Sequence, residues 1–585
     1  MTEKKLHLIL CWHMHQPDYR NQITGEYMLP WTYLHAMKDY SDMAYHLESH
    51  PQAKAVFNFV PVLLDQLEDY SRQFEEGKLR DPLLALLAEE DLNNISSVSR
   101  SLVFDRCFLT NHTKMIDPYP AYRWLSDLYK HHELNGVGSL DFLSGQYLAD
   151  LLVWYHLVWC GESVRRSSEL VANLMAKGSY FTLDDRRHLF DLIGKTIQGL
   201  IPRYRSLVNS GQIEISTTPH YHPIVPLLID FKVARECMPG VALPVAPGYP
   251  GGLERASFHI TSALESHRDR FGVAPQGVWP AEGGVSQAAA TVFAEHGCRW
   301  MASGEAVLVN SLRGLDGSQP LPARMDYLYR PYRLATGDHE IVSFFRDDKL
   351  SDKIGFEYAK WFGRDAVDNF IYDLEEIWRH TPADESPVVS VILDGENAWE
   401  YYPYNGYYFL SEMYDALESH PFIRTTTFKD YLDSSSPQDD MQVQLPLGLI
   451  ENAGPAMGKL PYLVAGSWVY GTFSTWIGEP AKNRAWDLLC SAKQSFDLVM
   501  GSGRLDKQEA DLAHKQLADC EGSDWFWWFG DYNPQHSVES FDKLYRDNLA
   551  NLYRLLKLPV PEQLGKPISH GGGTPEAGGA MRRAA

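Results

Sequence analysis

The sequence predicts a parallel α/β barrel followed by a C-terminal helical domain, on three observations. Short, nearly unbroken apolar runs recur between Leu6 and Leu393, and the clearest is Val388-Val389-Ser390-Val391-Ile392-Leu393. A strand covered on both faces in a parallel sheet has this composition. These runs alternate with helix-forming stretches, the pattern of βα units. After about Asp439 the strand candidates stop and long helical stretches follow.

Leu6–Cys11 is a first buried strand that delivers His13, His15 and Gln16 at its end, where Pro17 stops a helix from starting. Lys54–Val60 is a second strand, with Asn58 near its end, and charged helix-forming sequence covers Asp65–Glu90. A helical insertion is expected over about 140–209, its last helix N-capped at Thr182-Leu183-Asp184-Asp185 and ended by Gly211. Gln212–Thr217 alternates Ile213 and Ile215 with Glu214 and Ser216, a strand that runs into His220-Tyr221-His222. Another strand ends at Gly277-Val278-Trp279-Pro280-Ala281-Glu282, and a helix follows from about Ser286 to His296. Arg299–Ala302 and Ile341–Phe345 are further strands, the second leading into Arg346-Asp347-Asp348.

The Val388–Leu393 run breaks off in Asp394-Gly395-Glu396, with Trp399, Tyr401, Tyr402, Tyr404 and Tyr407 behind it. In barrels of parallel strands the C-terminal rim carries the chemistry. Beyond it, helices are expected over Pro480–Met500, with proline at the first helical position, Leu505–Ala518 and Val538–Lys557. The domains are then 1–439, the barrel with its insertion, 440–560, a helical domain contributing to the cleft, and 561–585, a glycine-rich disordered tail.

A chain of 585 residues is too long for one ordinary core, and 44% hydrophobic with 22% charged residues is a globular composition. The formal net charge of -23 argues against nucleic acid or an anionic membrane surface as partner and fits a neutral substrate. Aromatic content is high, with 16 Trp and 32 Tyr, residues that serve either as core or as stacking faces for sugar rings. Seven scattered cysteines with no Cys-x-x-Cys pair predict reduced thiols. No run reaches membrane-span length, and Trp12-His13-Met14-His15 interrupts the first apolar run before signal-peptide length. A cytoplasmic location is expected.

Four strand ends therefore carry His13 and His15, Glu214 with His220 and His222, Glu282, and Asp394 with Glu396. Glycosidic cleavage needs two carboxyl groups, one to attack or activate water and one to protonate the leaving oxygen. Taken alone, His13-x-His15 suits zinc as well as sugar, since imidazole pairs with a carboxylate are metal ligands. Glu214 is either an outward strand residue or a substrate contact; its place before the turn with His220 favours contact, whereas His222 reads as structural. Glu396 either binds substrate or orients Asp394. The run Trp525–Phe529 is either core or, flanked by Asp524 and Asp531, an aromatic platform reaching the cleft.

Cys11-Trp12-His13-Met14-His15-Gln16-Pro17 resembles the His-Gln-Pro motif of glycoside hydrolase family 57. Gly211-Gln212-Ile213-Glu214-Ile215 resembles that family's second motif, Trp279-Pro280-Ala281-Glu282 its nucleophile motif and Asp394-Gly395-Glu396 its acid/base motif. Gly466-Ser467-Trp468, Phe473–Pro480 and Glu521–Trp528 resemble the amylase and amylopullulanase-like branch. The resemblance implies a (β/α)7 barrel, a distorted TIM-like barrel, and retaining hydrolysis or transfer of α-glucan linkages, α-1,4 and possibly α-1,6, with hydrolysis leading and no metal or other cofactor. Glu282 would be the nucleophile and Asp394 the acid/base. His13, His15, Glu214, His220, Trp279, Glu396, Asp524, Trp525 and Trp527 would bind the glucan or maltooligosaccharide. The alternatives are a 4-α-glucanotransferase or branching enzyme on the same fold, and a metal-dependent carbohydrate hydrolase or deacetylase using His13 and His15.

Overall fold

The computed structural model describes residues 4–134, 142–435 and 457–573. Within them one sheet contains β1 (Leu6–Met14), β2 (Ala55–Phe59), β3 (Ile213–Thr217), β4 (Gly277–Val278), β5 (Trp300–Gly304), β6 (Tyr332–Thr336), β7 (His339–Arg346), β8 (Val388–Asp394), β9 (Ile423–Thr425) and β10 (Gly458–Leu460). Seven of these are parallel and close on themselves in the order β1-β2-β3-β4-β5-β7-β8, with β7 meeting β8 and β8 returning to β1. All seven correspond to the apolar runs above. The sequence did not indicate β6, a strand between β7 and β10 that is antiparallel to β7 and whose residues alternate buried and exposed, nor the three-residue β9 and β10.

Side chains along a strand alternate between faces, so the register sorts them into layers. Cys11 lies opposite Val56 and Val56 opposite Glu214; two residues further along, His13 lies opposite Asn58 and Asn58 opposite Ser216. On its other side His13 faces Asp394. The lower layer is apolar apart from Glu214: Ile9, Cys11, Val56, Trp300, Ala302, Val342, Phe344 and Ile392 cluster with Phe428, Tyr431 and Leu432. These last three belong to the helix Phe428–Ser435, which closes the barrel floor, with Trp300 and Phe428 ring centroids 4.1 Å apart.

Among the described residues, the helices of the connection between β2 and β3 start with Pro61–Glu76 and end with Leu183–Asn209, so the helical region begins well before the expected 140. The last helix starts as expected, with a capping box between Thr182 and Asp185. Helices Pro480–Ser502, Lys507–Cys520, Asp524–Trp528 and Gln535–Leu555 follow the barrel, each of the three expected ones within three residues of its expected bounds. The boundary at 439/440 falls outside the described residues.

The expected tail at 561–585 needs correction over its first part. Ile568 and Ser569 donate their main-chain N–H groups to Asp542 Oδ1 (2.7 and 3.3 Å), Ser569 Oγ accepts from Gly530 N, and Leu564 is buried. Glycine-rich sequence here serves a close approach: Gly572 and Gly573 both donate to the Asn533 carbonyl. Residues 574–585 lie outside the described residues. No described helix is long and apolar enough to cross a membrane.

Glu214 also departs from expectation. It sits one inward-facing layer below the rim, about 6.6 Å deeper along the strand, and accepts hydrogen bonds from Trp300 Nε1 (2.8 Å) and Lys429 N (2.9 Å). Burial pushes its carboxyl up to about 7. It therefore anchors the floor helix to the barrel rather than meeting a ligand. Glu214→Ala should strand two buried N–H donors and lower stability by roughly 1–3 kcal/mol, while kcat below the melting transition stays near that of the parent. Melting curves and initial rates on one preparation check this; lost activity at unchanged stability would restore a ligand role.

Candidate active site

β4 runs directly into the turn Trp279–Gly283, and Glu282 takes a left-handed conformation there (φ 58°, ψ 26°). A residue with a Cβ holds that conformation only where its surroundings impose it. Trp468 imposes it from both sides: its main-chain N–H donates to the Glu282 carbonyl (3.1 Å) and its indole N–H to Glu282 Oε2 (2.9 Å). Two glycines make room for this clamp. A Cβ on Gly304 would meet the Trp468 backbone at 2.6 Å, and one on Gly283 would meet the Trp279 ring at 2.9 Å. Behind Trp468 the buried Arg346 guanidinium lies 4.9 Å from the indole ring and donates to the Ile392 carbonyl (2.6 Å), Asp348 and Asp352.

Asp394 ends β8 and accepts from Asn397 Nδ2 (2.8 Å). The chain turns at Gly395, whose N–H donates to the His13 carbonyl and where a Cβ would meet Met14 Sδ at 2.3 Å. Glu396 turns inward to accept from His15 N and Gln16 Nε2 (3.3 and 3.4 Å). Burial, reinforced by the nearby Asp394 charge, raises its carboxyl well above the usual range.

His13 donates from Nδ1 to Asn58 Oδ1 (2.6 Å), and Asn58 donates onward to Ser216 Oγ (2.9 Å). That bond sets the His13 tautomer, with Nδ1 as the donor. His15 Nε2 bonds the Asp524 carboxylate (2.9 Å), and its ring stacks on His222 with centroids 3.9 Å apart. Burial lowers the pKa of all three histidines, and for His15 and His222 the neighbouring imidazoles lower it further. The three rings are therefore neutral near pH 7. A cleft of about 1010 Å³ opens over this floor, walled by Asp105 and Arg106 of the insertion and by Trp527, Trp528 and Lys543 of the helical domain. At its base Glu282 and Asp394 share a pocket of about 20 Å³ with His13, Trp279, Arg346 and Trp468.

The profile described as Glycosyl hydrolase family 57 matches residues 9–444. The chain is a member of glycosyl hydrolase family 57. Comparison with curated proteins finds no match. Among solved structures it resembles a GH57 branching enzyme from Thermococcus kodakaraensis (14% identity, 94% of this chain and 90% of that one, TM-score 0.55). It also resembles the GH57-type branching enzyme of Pyrococcus horikoshii (15%, 96% and 93%, TM-score 0.55) and the α-amylase AmyC of Thermotoga maritima (13%, 96% and 95%, TM-score 0.51). At these identities the likeness is one of fold.

In this family 57 chain His13, His15, Glu282, Asp394, Glu396, Asp524 and Trp527 line the cleft, and Trp279 lines the pocket beneath it. Three expected binding residues lie elsewhere. Glu214 is on the barrel floor. His220 has both ring nitrogens engaged, Nε2 with Asp65 (3.0 Å) and Nδ1 with Ser262 (2.7 Å). Trp525 is 1% exposed and donates its indole N–H to the Asp519 carbonyl, a core residue.

His222, read from the sequence as structural, takes the place foreseen for His220. The chain leaves β3 at Thr217, and a left-handed His222 (φ 59°) turns its ring onto His15. Only the His220-x-His222 pair signalled that one of the two would do so. Trp528 belongs to the run expected as a possible platform, whereas Trp468 and Arg346 are site residues that the sequence reading does not assign. Arg346 was findable, because it continues the inward period of Val342 and Phe344. Trp468 was not, since no local pattern distinguishes its indole from a core one.

His15, His222 and Asp524 each offer a ligand atom within 4.8 Å of the others. They fit zinc poorly. The two imidazoles are stacked at 20°, so their in-plane lone pairs run side by side instead of converging on a tetrahedral centre with bonds of about 2.0–2.1 Å. His13, the other half of the pair invoked for a metal, is not part of that cluster.

Burial pushes Asp524 up to about 6, against about 3.9 in an unfolded chain. Between these values the folded protein holds a proton that the unfolded chain has released, so stability falls as pH rises, by about 3 kcal/mol in full. Asp524→Asn removes that titration. Its melting temperature relative to the parent should climb from pH 4 to pH 6 and level off above. A variant that is less stable than the parent at pH 7.5 would show that the ionised carboxylate is a net stabiliser.

Proposed function

We propose that this family 57 chain is a retaining α-glucan hydrolase in which Glu282 is the nucleophile and Asp394 the acid/base. The observation that carries the reading is that the two carboxylates, far apart in the chain, line one pocket at the base of the cleft. Retention requires carboxyl groups about 5–5.5 Å apart, closer than inversion needs. Asp394 protonates the glycosidic oxygen while the Glu282 carboxylate attacks the anomeric carbon. The leaving chain departs with that proton, and a covalent glycosyl-enzyme remains. Water then gives its proton to Asp394, attacks the same carbon and frees Glu282.

The surroundings support these roles. The Trp468 indole N–H on Oε2 favours the ionised, attacking form of Glu282 and fixes its direction. Neutral histidines suit sugar hydroxyls, because they can both donate and accept, and the Trp527 and Trp528 faces suit pyranose rings. Structurally similar enzymes are named as branching enzymes and an α-amylase, which supports an α-glucan as substrate. The seven cysteines are all free, in keeping with a cytoplasmic location.

Maltooligosaccharides test the reading directly. Products only shorter than the substrate are expected; a ladder extending above it would make the chain a transferase with the same two carboxylates. Exhaustive chelation should leave the rate unchanged, and loss with recovery on added zinc would overturn the metal-free mechanism.

The carboxylate roles separate with an activated α-glucoside whose leaving group needs no proton. With Asp394→Ala, added azide should intercept the glycosyl-enzyme and give the α-azide. With Glu282→Ala no intermediate forms, so azide should displace directly and give the β-azide. The reverse pairing of anomers would swap the assignments.

A further inference from the structure

Beyond the cleft mouth, on the wall formed by the loop that follows Asp394, two tyrosines stand exposed on a turn that is held against its backbone preference. Tyr404 (φ 51°, ψ 43°) and Asn405 (φ 51°, ψ 35°) are consecutive non-glycine residues in the left-handed region. Such a pair persists only where the surroundings pin it. The Asn405 side chain does the pinning: Oδ1 accepts from Lys38 Nζ (3.0 Å) and Nδ2 donates to Asp42 Oδ2 (3.1 Å). Tyr404 itself is left 61% exposed.

Tyr408 stands beside it, 46% exposed, with ring centroids 5.4 Å apart and planes at 88°. Its orientation is fixed as well. Arg166 lies over the Tyr407 and Tyr408 rings and donates to the Tyr408 hydroxyl (3.1 Å), and Glu162 holds Arg166 in turn (3.2 Å). Two rigid aromatic faces with charged hydrogen-bonding groups at their edge form a recognition surface for a pyranose, which presents a C–H face and a hydroxyl rim.

The surface adjoins the cleft through its chain neighbours and through Lys38. Glu400 and Tyr401, one turn earlier in the chain, line the cleft, as does Trp159, over whose ring Lys38 Nζ sits at 5.1 Å. We propose that Tyr404 and Tyr408 form a second binding platform that receives an α-glucan chain as it leaves the cleft; this rests on the α-glucan reading above. The crossed ring planes favour an α-linked chain, which curves from one glucose to the next, over a flat β-linked ribbon, which needs coplanar rings. A net charge of -23 disfavours polyanions as the occupant.

The test compares long and short substrates on the full chain. In Tyr404→Ala and Tyr408→Ala, KM for amylopectin should rise by about fivefold, the effect of losing one aromatic contact. Retardation in amylopectin gels should weaken in parallel, kcat/KM for short maltooligosaccharides should be unchanged, and Tyr404→Phe should behave as the parent. Tyr404→Gly should lose the same long-chain advantage with a melting temperature at or above that of the parent, because glycine takes the left-handed turn without strain.

Unchanged KM and retardation in the alanine variants would overturn the platform and leave the proposed activity standing. Equal loss on long and short substrates would also overturn it, because the turn would then shape the cleft itself. A parent that is retarded by amylopectin but cleaves no α-glucan, with retardation lost in the variants, would uphold the platform and sink the proposed activity.

Discussion

Seven parallel strands close in register, and that register sets which side chains meet at the rim. Because β1 lies between β2 and β8, His13 is opposite Asn58 on one side and Asp394 on the other. A slip of one residue would turn each inward side chain outward, putting Trp12 and Leu393 where His13 and Asp394 now stand. Register is secured from below by the apolar layer around Cys11, Val56, Trp300 and Ile392, and by the floor helix that Glu214 anchors. The polar layer at the rim could not hold itself together; its geometry is inherited from the packing beneath it.

The site concentrates unfavourable features that the scaffold must offset. Glu282 is held left-handed, Asp524 and Glu396 are carboxyls whose pKa burial raises, and three imidazoles are crowded within stacking distance and lose their charge. Each lowers stability, and each also sharpens what the cleft can do with a neutral, hydroxyl-rich ligand. The glycines at 283, 304 and 395 make the arrangement possible by letting Trp279, Trp468 and Met14 approach where a Cβ would clash.

The helical domain is part of this machinery. It brings Asp524 against His15 and Trp527 and Trp528 into the cleft wall, and Ser523 bonds His222. Lys482, buried in the helix Pro480–Ser502, donates to the carbonyls of Thr475, Phe526 and Phe529, so the short helix carrying Asp524 is held at its C-terminal end by a buried cation.

Alone, the sequence determined the seven barrel strands, the two carboxylates at strand ends and the helical C-terminal half. Those features are written in local patterns, namely short apolar runs, abrupt polar endings and helix caps, so residues close in the chain suffice to show them. Which polar residues meet follows from packing between elements distant in the chain. Glu214 looked like a rim residue because a strand's end is blurred in sequence, and two residues of register moved it to the floor. His220 and His222 were interchangeable until one left-handed residue aimed the second at His15. Trp468 reaches Glu282 across 186 positions, and Trp525 and Trp527 differ only in which side of a one-turn helix faces the cleft. Contacts of that kind depend on where whole elements are placed in space, and no local periodicity encodes that placement.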